Sequence, residues 1–231
     1  ELLNVNDNEK YNLFLLTIRF IISLWIVKHM LLLPCKQFNY KVKEKFMRMN
    51  ELLNENPIIA AVKDFDSLQE ALESNINIIF ILFGDILSVS EISKKIRDKN
   101  KIGILHIDLV EGLSSKEVSI KFIKNNTYFN GIISTKANVI KSAKLHGLIA
   151  IQRFFIFDTI SLNNSKSHII SECDAIEILP GVIPKVIKKI ENCTNKPIVV
   201  GGLIDNKEDV ISALSAGATS VSSSKNSIWK V

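Results

Sequence analysis

Apolar residues along this chain gather into eight short runs between residues 58 and 223, and each run ends on a polar or glycine-rich tip. The runs span 58–62, 78–83, 102–107, 131–134, 148–153, 175–179, 197–200 and 218–221. They are rich in β-branched residues and lack polar alternation, which suits strands buried on both faces of a parallel sheet. Amphipathic stretches at 66–74, 89–99, 115–126, 138–146, 184–190 and 207–216 predict helices between them. Ser114 or Ser115 with Glu117, and Asp205 with Glu208, resemble helix-start chemistry. Gly147 and Gly217 sit where helices should stop. The runs recur at the step of a βα unit. Eight such units predict an α/β fold, a compact TIM-like (β/α)8 barrel over residues 49–231, with tight loops. An open doubly wound sheet is the alternative.

Composition changes the picture little for this region. At 47% hydrophobic and 23% charged, the chain has ample material for a core. The formal net charge of +5 is unevenly placed: residues 1–48 hold eight basic and four acidic side chains, which leaves +1 for the other 183 residues. Bulk basicity therefore does not mark the main body as a nucleic-acid surface, and a polyanion site there must come from local clustering. Cys35, Cys173 and Cys193 show neither CxxC nor metal-ligand spacing, which fits a reducing cytosol better than a disulfide scaffold.

Residues 1–48 are an extra N-terminal segment with an apolar helical stretch. Residues 13–33 approach the roughly 20 apolar residues that cross a bilayer, but Arg19 and Lys28 interrupt them and no small-residue cleavage site follows. Three readings stand: a membrane-associated helix with basic residues 41–48 at its edge, an added helix packed on the main domain, or a segment that is not native coding sequence. The start at Glu1, with Met47 or Met49 opening a well-formed domain, favours the third. No membrane association is expected unless residues 13–33 are native.

In a βα barrel the carboxyl ends of the strands converge on one mouth. Here those ends carry Lys63; Asp85; His106 and Asp108; Ser134 and Lys136; Gln152 and Arg153; Glu177; Gly201 and Gly202; and Ser222, Ser223 and Ser224. The paired glycines let a backbone approach an anion closely, and the serines add hydroxyls and amides, with a helix N-terminus expected at 225–228. The last two tips are thus suited to phosphate. Lys63, Lys136 and Arg153 can surround an anionic ligand. Asp85, His106, Asp108 and Glu177 can take ligand hydroxyls or protons. No HxH, HExxH or DxD pairing is present, so no metal and no cofactor are expected.

The strings Asn56-Pro57-Ile58-Ile59-Ala60-Ala61-Val62-Lys63, Phe83-Gly84-Asp85-Ile86-Leu87, His106-Ile107-Asp108-Leu109-Val110-Glu111-Gly112-Leu113, Gly131-Ile132-Ile133-Ser134-Thr135-Lys136, Ile151-Gln152-Arg153-Phe154-Phe155, Glu177-Ile178-Leu179-Pro180-Gly181 and Gly201-Gly202-Leu203-Ile204 are similar to the bacterial glycerol-3-phosphate-responsive antiterminator family. The resemblance spans roughly residues 50–229. It implies a cytoplasmic, non-catalytic regulator of glycerol metabolism that senses glycerol 3-phosphate and acts on leader mRNA. The strand ends supply the candidate ligand set: Lys63, Asp85, His106, Asp108, Lys136, Arg153, Glu177, Gly201, Gly202, Ser222 and Ser223. Phosphate is expected on Gly201, Gly202, Ser222 and Ser223, and the glycerol hydroxyls on Glu177 and Asp85. Loops after the third and fourth strands, including residues 111–115, are expected to order on binding. RNA contacts are expected from Lys94, Lys95, Arg97, Lys99 and Lys101, from residues 116–124, and from Lys185, Lys188 and Lys189. A homo-oligomer is left open. The rival reading is a barrel lyase, isomerase or phosphodiesterase acting on a small phosphorylated substrate, with His106, Asp108 and Glu177 moving protons.

Overall fold

The computed structural model describes residues 49–230. The 1–48 extension, with its apolar stretch at 13–33, lies outside the described residues. Eight parallel strands form a closed barrel in sequence order: β1 (Ile58–Val62), β2 (Ile78–Ile81), β3 (Ile102–His106), β4 (Gly131–Ser134), β5 (Ile149–Phe155), β6 (Ala175–Leu179), β7 (Ile198–Gly201) and β8 (Ser220–Ser223). Pairing of β1 with β8, in the register Ile58 to Val221 and Ala60 to Ser223, closes the ring and excludes the open sheet. Helices α1 (Phe65–Glu73), α2 (Val89–Asp98), α3 (Glu117–Asn126), α4 (Ala137–Leu145), α5 (Thr159–His168), α6 (Pro184–Glu191) and α7 (Lys207–Ser215) follow successive strands. The fold is the TIM-like (β/α)8 barrel.

The unbroken apolar runs are explained by two cores. Alternate strand residues such as Ile59, Phe80, Ile104, Ile133, Ile151 and Val199 fill the barrel interior. The intervening ones, such as Ile79, Leu105, Ile132, Ile176 and Val200, pack against the helices. Most positions on both faces of each strand are dry, so the runs show no regular polar alternation, and their polar residues concentrate at the carboxyl ends and in β8. Met49 and Leu53, on a helical segment at 49–54, belong to the interior core, and Ser220 Oγ donates to the Leu53 carbonyl at 2.9 Å.

Several local expectations are corrected. Helix α5 is absent from the amphipathic pattern, because its only buried residues are Leu162 and Ser165. It is instead fixed by a capping box: the Asp158 carboxylate accepts from the Ser161 amide at 2.8 Å, and Ser161 Oγ accepts from the Asp158 amide at 2.9 Å. Helix α3 begins after Lys116 with no side-chain cap, since Ser114 Oγ lies against Ser119 Oγ. Helix α7 is capped by Asn206 with Asp209, one residue beyond the expected pair. Strand β8 runs to Ser223 rather than ending at Val221, because its serines have polar partners on both faces of the sheet. Gly147 and Gly217 do end helices, at φ values of 74° and 105°.

Lys101 is not a free surface cation. Its Nζ donates to the carbonyls of Ser74 and Ile76 at 2.6 and 2.5 Å, holding the end of α1 to the start of β3. Lys196 does the same for Ser171 and Cys173, both at 2.7 Å. Lys95, Lys121 and Lys188 pair with acids on their own helices.

Candidate functional site at the barrel mouth

Strand periodicity sets which side chains reach the mouth. Two residues beyond the interior positions Ile104, Ile151, Ala175, Val199 and Ser220 lie His106, Arg153, Glu177, Gly201 and Ser222. Register pairs Arg153 with Glu177 and Gly201 with Ser222. The Arg153 Nε donates to Glu177 Oε2 at 2.7 Å, and Ser222 Oγ donates to Glu177 Oε1 at 3.0 Å. All three side chains are buried. An ion pair this buried survives because its carboxylate oxygens are both hydrogen-bonded.

Gly201 is required by this packing. A Cβ there would stand 2.3 Å from Ser222 Oγ and 3.3 Å from Glu177 Oε1. Beyond it the chain turns through the left-handed region, at φ 77° for Gly202 and 61° for Leu203. The Gly202 carbonyl accepts from the Gly181 amide at 3.1 Å.

A cavity of about 170 Å³ opens here, lined by Arg153, Glu177, Gly202, Leu203, Ser224 and Lys225 among others. It is below the roughly 300 Å³ at which drug-sized pockets begin, so it suits a small metabolite. Among the described residues, no protein acceptor takes the amide protons of Leu203 or Ser224, at the tips beyond β7 and β8. Only Nε of Arg153 is engaged within the protein, which leaves its terminal nitrogens as donors. Lys225 and Asp205 face each other across the rim at 2.8 Å.

The remaining candidates fall elsewhere. Ser223 lines the cavity, but its hydroxyl donates to the Ile204 carbonyl at 3.1 Å and accepts from the Lys225 amide at 3.2 Å, tying the last two tips together. Asp85 accepts from the Leu87 and Ser88 amides, each at 2.8 Å, which holds its carboxyl below the usual range. It is a turn-forming residue outside the cavity lining. Asp108 staples β3 to β4 through Ser134 Oγ at 2.9 Å and the Thr135 amide at 2.8 Å. Lys136 lies 4.0 Å from Asp108 and donates to Ser115 Oγ. Lys63 is exposed and does not line the cavity. His106 is buried, with Nδ1 unpartnered. Burial, helped by the charge of Arg153, lowers its pKa to about 4, so the ring is neutral.

Residues 225–227 form a turn leading into a 3-10 helix at Ile228–Lys230, so no α-helix N-terminus faces the cavity. Sequence reasoning missed Lys225 and Asp205 as rim residues. Their adjacency to the glycine and serine tips was the available signal. A larger groove of about 590 Å³ beside α5 is lined mainly by phenyl rings, hydroxyls and amides. It gathers no comparable set of charges, so the mouth is the stronger site. No group of acids, histidines and cysteines able to hold a metal occurs among the described residues.

Closed ring and mouth together define a (β/α)8 barrel protein with a small polar cavity at the carboxyl ends of its strands. Residues 58–229 match the family described as glycerol-3-phosphate responsive antiterminator, and the chain belongs to that family. A curated relative, the uncharacterized protein YgcP of Escherichia coli (strain K12), is 43% identical over 184 residues, covering 79% of this chain and 96% of that one. Among solved structures, the glycerol uptake operon antiterminator regulatory protein of Listeria monocytogenes is 32% identical with a TM-score of 0.72, covering 75% of this chain and 94% of that one. A glycerol uptake operon antiterminator-related protein of Thermotoga maritima is 30% identical with a TM-score of 0.68, covering 76% and 99%.

Proposed function

We propose that this protein senses glycerol 3-phosphate at the barrel mouth and acts on leader mRNA as a transcription antiterminator. The observation that carries the ligand reading is the cavity where the buried Arg153–Glu177–Ser222 set meets the unaccepted amides of Leu203 and Ser224. The phosphate sits against those amides with Lys225 beside it, since left-handed backbone and fixed N–H groups make an anion-binding concavity. The glycerol hydroxyls reach the terminal nitrogens of Arg153 and the Glu177 carboxylate. Asp85, held in its own turn, takes no part.

The reading is of a sensor, not a catalyst, with no metal or cofactor. His106 is neutral, Asp108 is committed to Ser134 and Thr135, and both Glu177 oxygens are engaged, so the three groups named for proton chemistry do not form a poised acid–base set. Among the described residues no helix is long and apolar enough to cross a membrane, which accords with work in the cytoplasm.

Calorimetric titration with glycerol 3-phosphate tests the ligand reading. Saturable heat is expected, and its absence at millimolar ligand sinks the proposal. Binding of a leader hairpin should weaken steeply with salt.

A further inference from the structure

Resting on the ligand reading above, we propose that Lys225 and Asp205 form a latch that the ligand's phosphate opens. The two residues stand on different loops, Asp205 after β7 and Lys225 after β8. Both line the cavity, and their charged ends meet at 2.8 Å. Their backbones are fixed. The amides of Asp205 and Asn206 donate to Asp209 Oδ2 at 2.9 and 3.2 Å, and the Lys225 amide donates to Ser223 Oγ at 3.2 Å. The two side chains are roughly half exposed, at 51% and 58%, so they move without disturbing the loops that carry them.

A carboxylate in this position competes with any anion for the Lys225 ammonium. An exposed ion pair is a weak contact, whereas a phosphate dianion brings more charge and additional acceptor oxygens. Exchange of Asp205 for phosphate therefore favours the bound state, and the displaced carboxylate is repelled outward, while Ser223 still holds the two rim loops together through the Ile204 carbonyl. A neutral polyol cannot make this exchange. The latch thus separates glycerol 3-phosphate from glycerol and converts phosphate binding into a change at the rim. A ligand shifts such an equilibrium only by its differential affinity for the two states, and Lys225 supplies that difference.

The test is titration of the full chain with glycerol 3-phosphate, and separately with inorganic phosphate, for wild type, Asp205→Asn, Lys225→Met and the double variant. Asp205→Asn should tighten both ligands by about two- to fivefold, the scale of an exposed ion pair. Lys225→Met should weaken both by about tenfold or more, the scale of a charged hydrogen bond. In the double variant the gain from Asp205→Asn should vanish. Because both positions are exposed the fold should persist, and Lys225→Gln serves as a second cation-free variant. Unchanged or weaker binding by Asp205→Asn overturns the latch, as does an equal gain in the Lys225→Met background. If wild type binds glycerol 3-phosphate and Asp205→Asn has no effect, the latch alone falls. If wild type binds no glycerol 3-phosphate, the ligand reading falls and the latch with it.

Discussion

At the residue scale, the mouth depends on side chains that are absent or neutralised. Gly201 leaves room for Ser222 Oγ to reach Glu177. Gly201→Ala should displace that hydroxyl, abolish glycerol 3-phosphate binding, and destabilise the fold by about 1–3 kcal/mol, the usual penalty of overpacking. Calorimetry and urea unfolding check both parts. Arg153→Met leaves a buried carboxylate without its cation, which should lower stability by about 3–5 kcal/mol. Adding Glu177→Leu should recover much of that loss, and unfolding curves of the single and double variants decide it. His106 gives a pH signature. Its folded pKa of about 4 lies below the ordinary 6.5, so its contribution is intact above pH 6.5 and is lost as pH falls toward 4. Between pH 7 and 5 the loss should be on the order of 2 kcal/mol, and His106→Gln should flatten that limb of the stability profile.

At the element scale, what could be read in advance depended on whether burial left a pattern. Strands β1, β4 and β6 are legible because they are mostly apolar on both faces and begin and end sharply. Helix α5 is not, because it presents Leu162 and Ser165 to the barrel and otherwise faces solvent with Asn, Ser and Lys. Its stability rests on its first turn, so Asp158→Ala should fray it selectively. Hydrogen exchange across residues 159–168 should rise while the strands stay protected. Uniform loss of protection would show that α5 and the barrel open together. The candidate site divides similarly. Glu177, Arg153 and the glycine and serine tips were legible because strand ends in a barrel must converge. Asp85 lies outside the cavity lining, because its carboxylate closes its own turn, and in sequence such a carboxylate looks like one offered to a ligand. Lys225 and Asp205 were missed because their roles depend on how two loops after β7 and β8 fold toward each other.

At the scale of the whole molecule, closure of the ring gathers the mouth. Pairing of β8 with β1 brings chain segments more than 150 residues apart into register, and with them the last two tips and the middle strands that carry Arg153 and Glu177. An open sheet would leave those tips at an edge. The central claim is that this gathering makes a seat for a phosphorylated triol. A crystal structure of the protein with glycerol 3-phosphate tests it most directly. The account predicts phosphate oxygens within hydrogen-bond reach of the Leu203 and Ser224 amides and the Lys225 ammonium, with the hydroxyl end toward Arg153 and Glu177. A ligand seated in the groove beside α5, or anywhere else outside the barrel mouth, would contradict it.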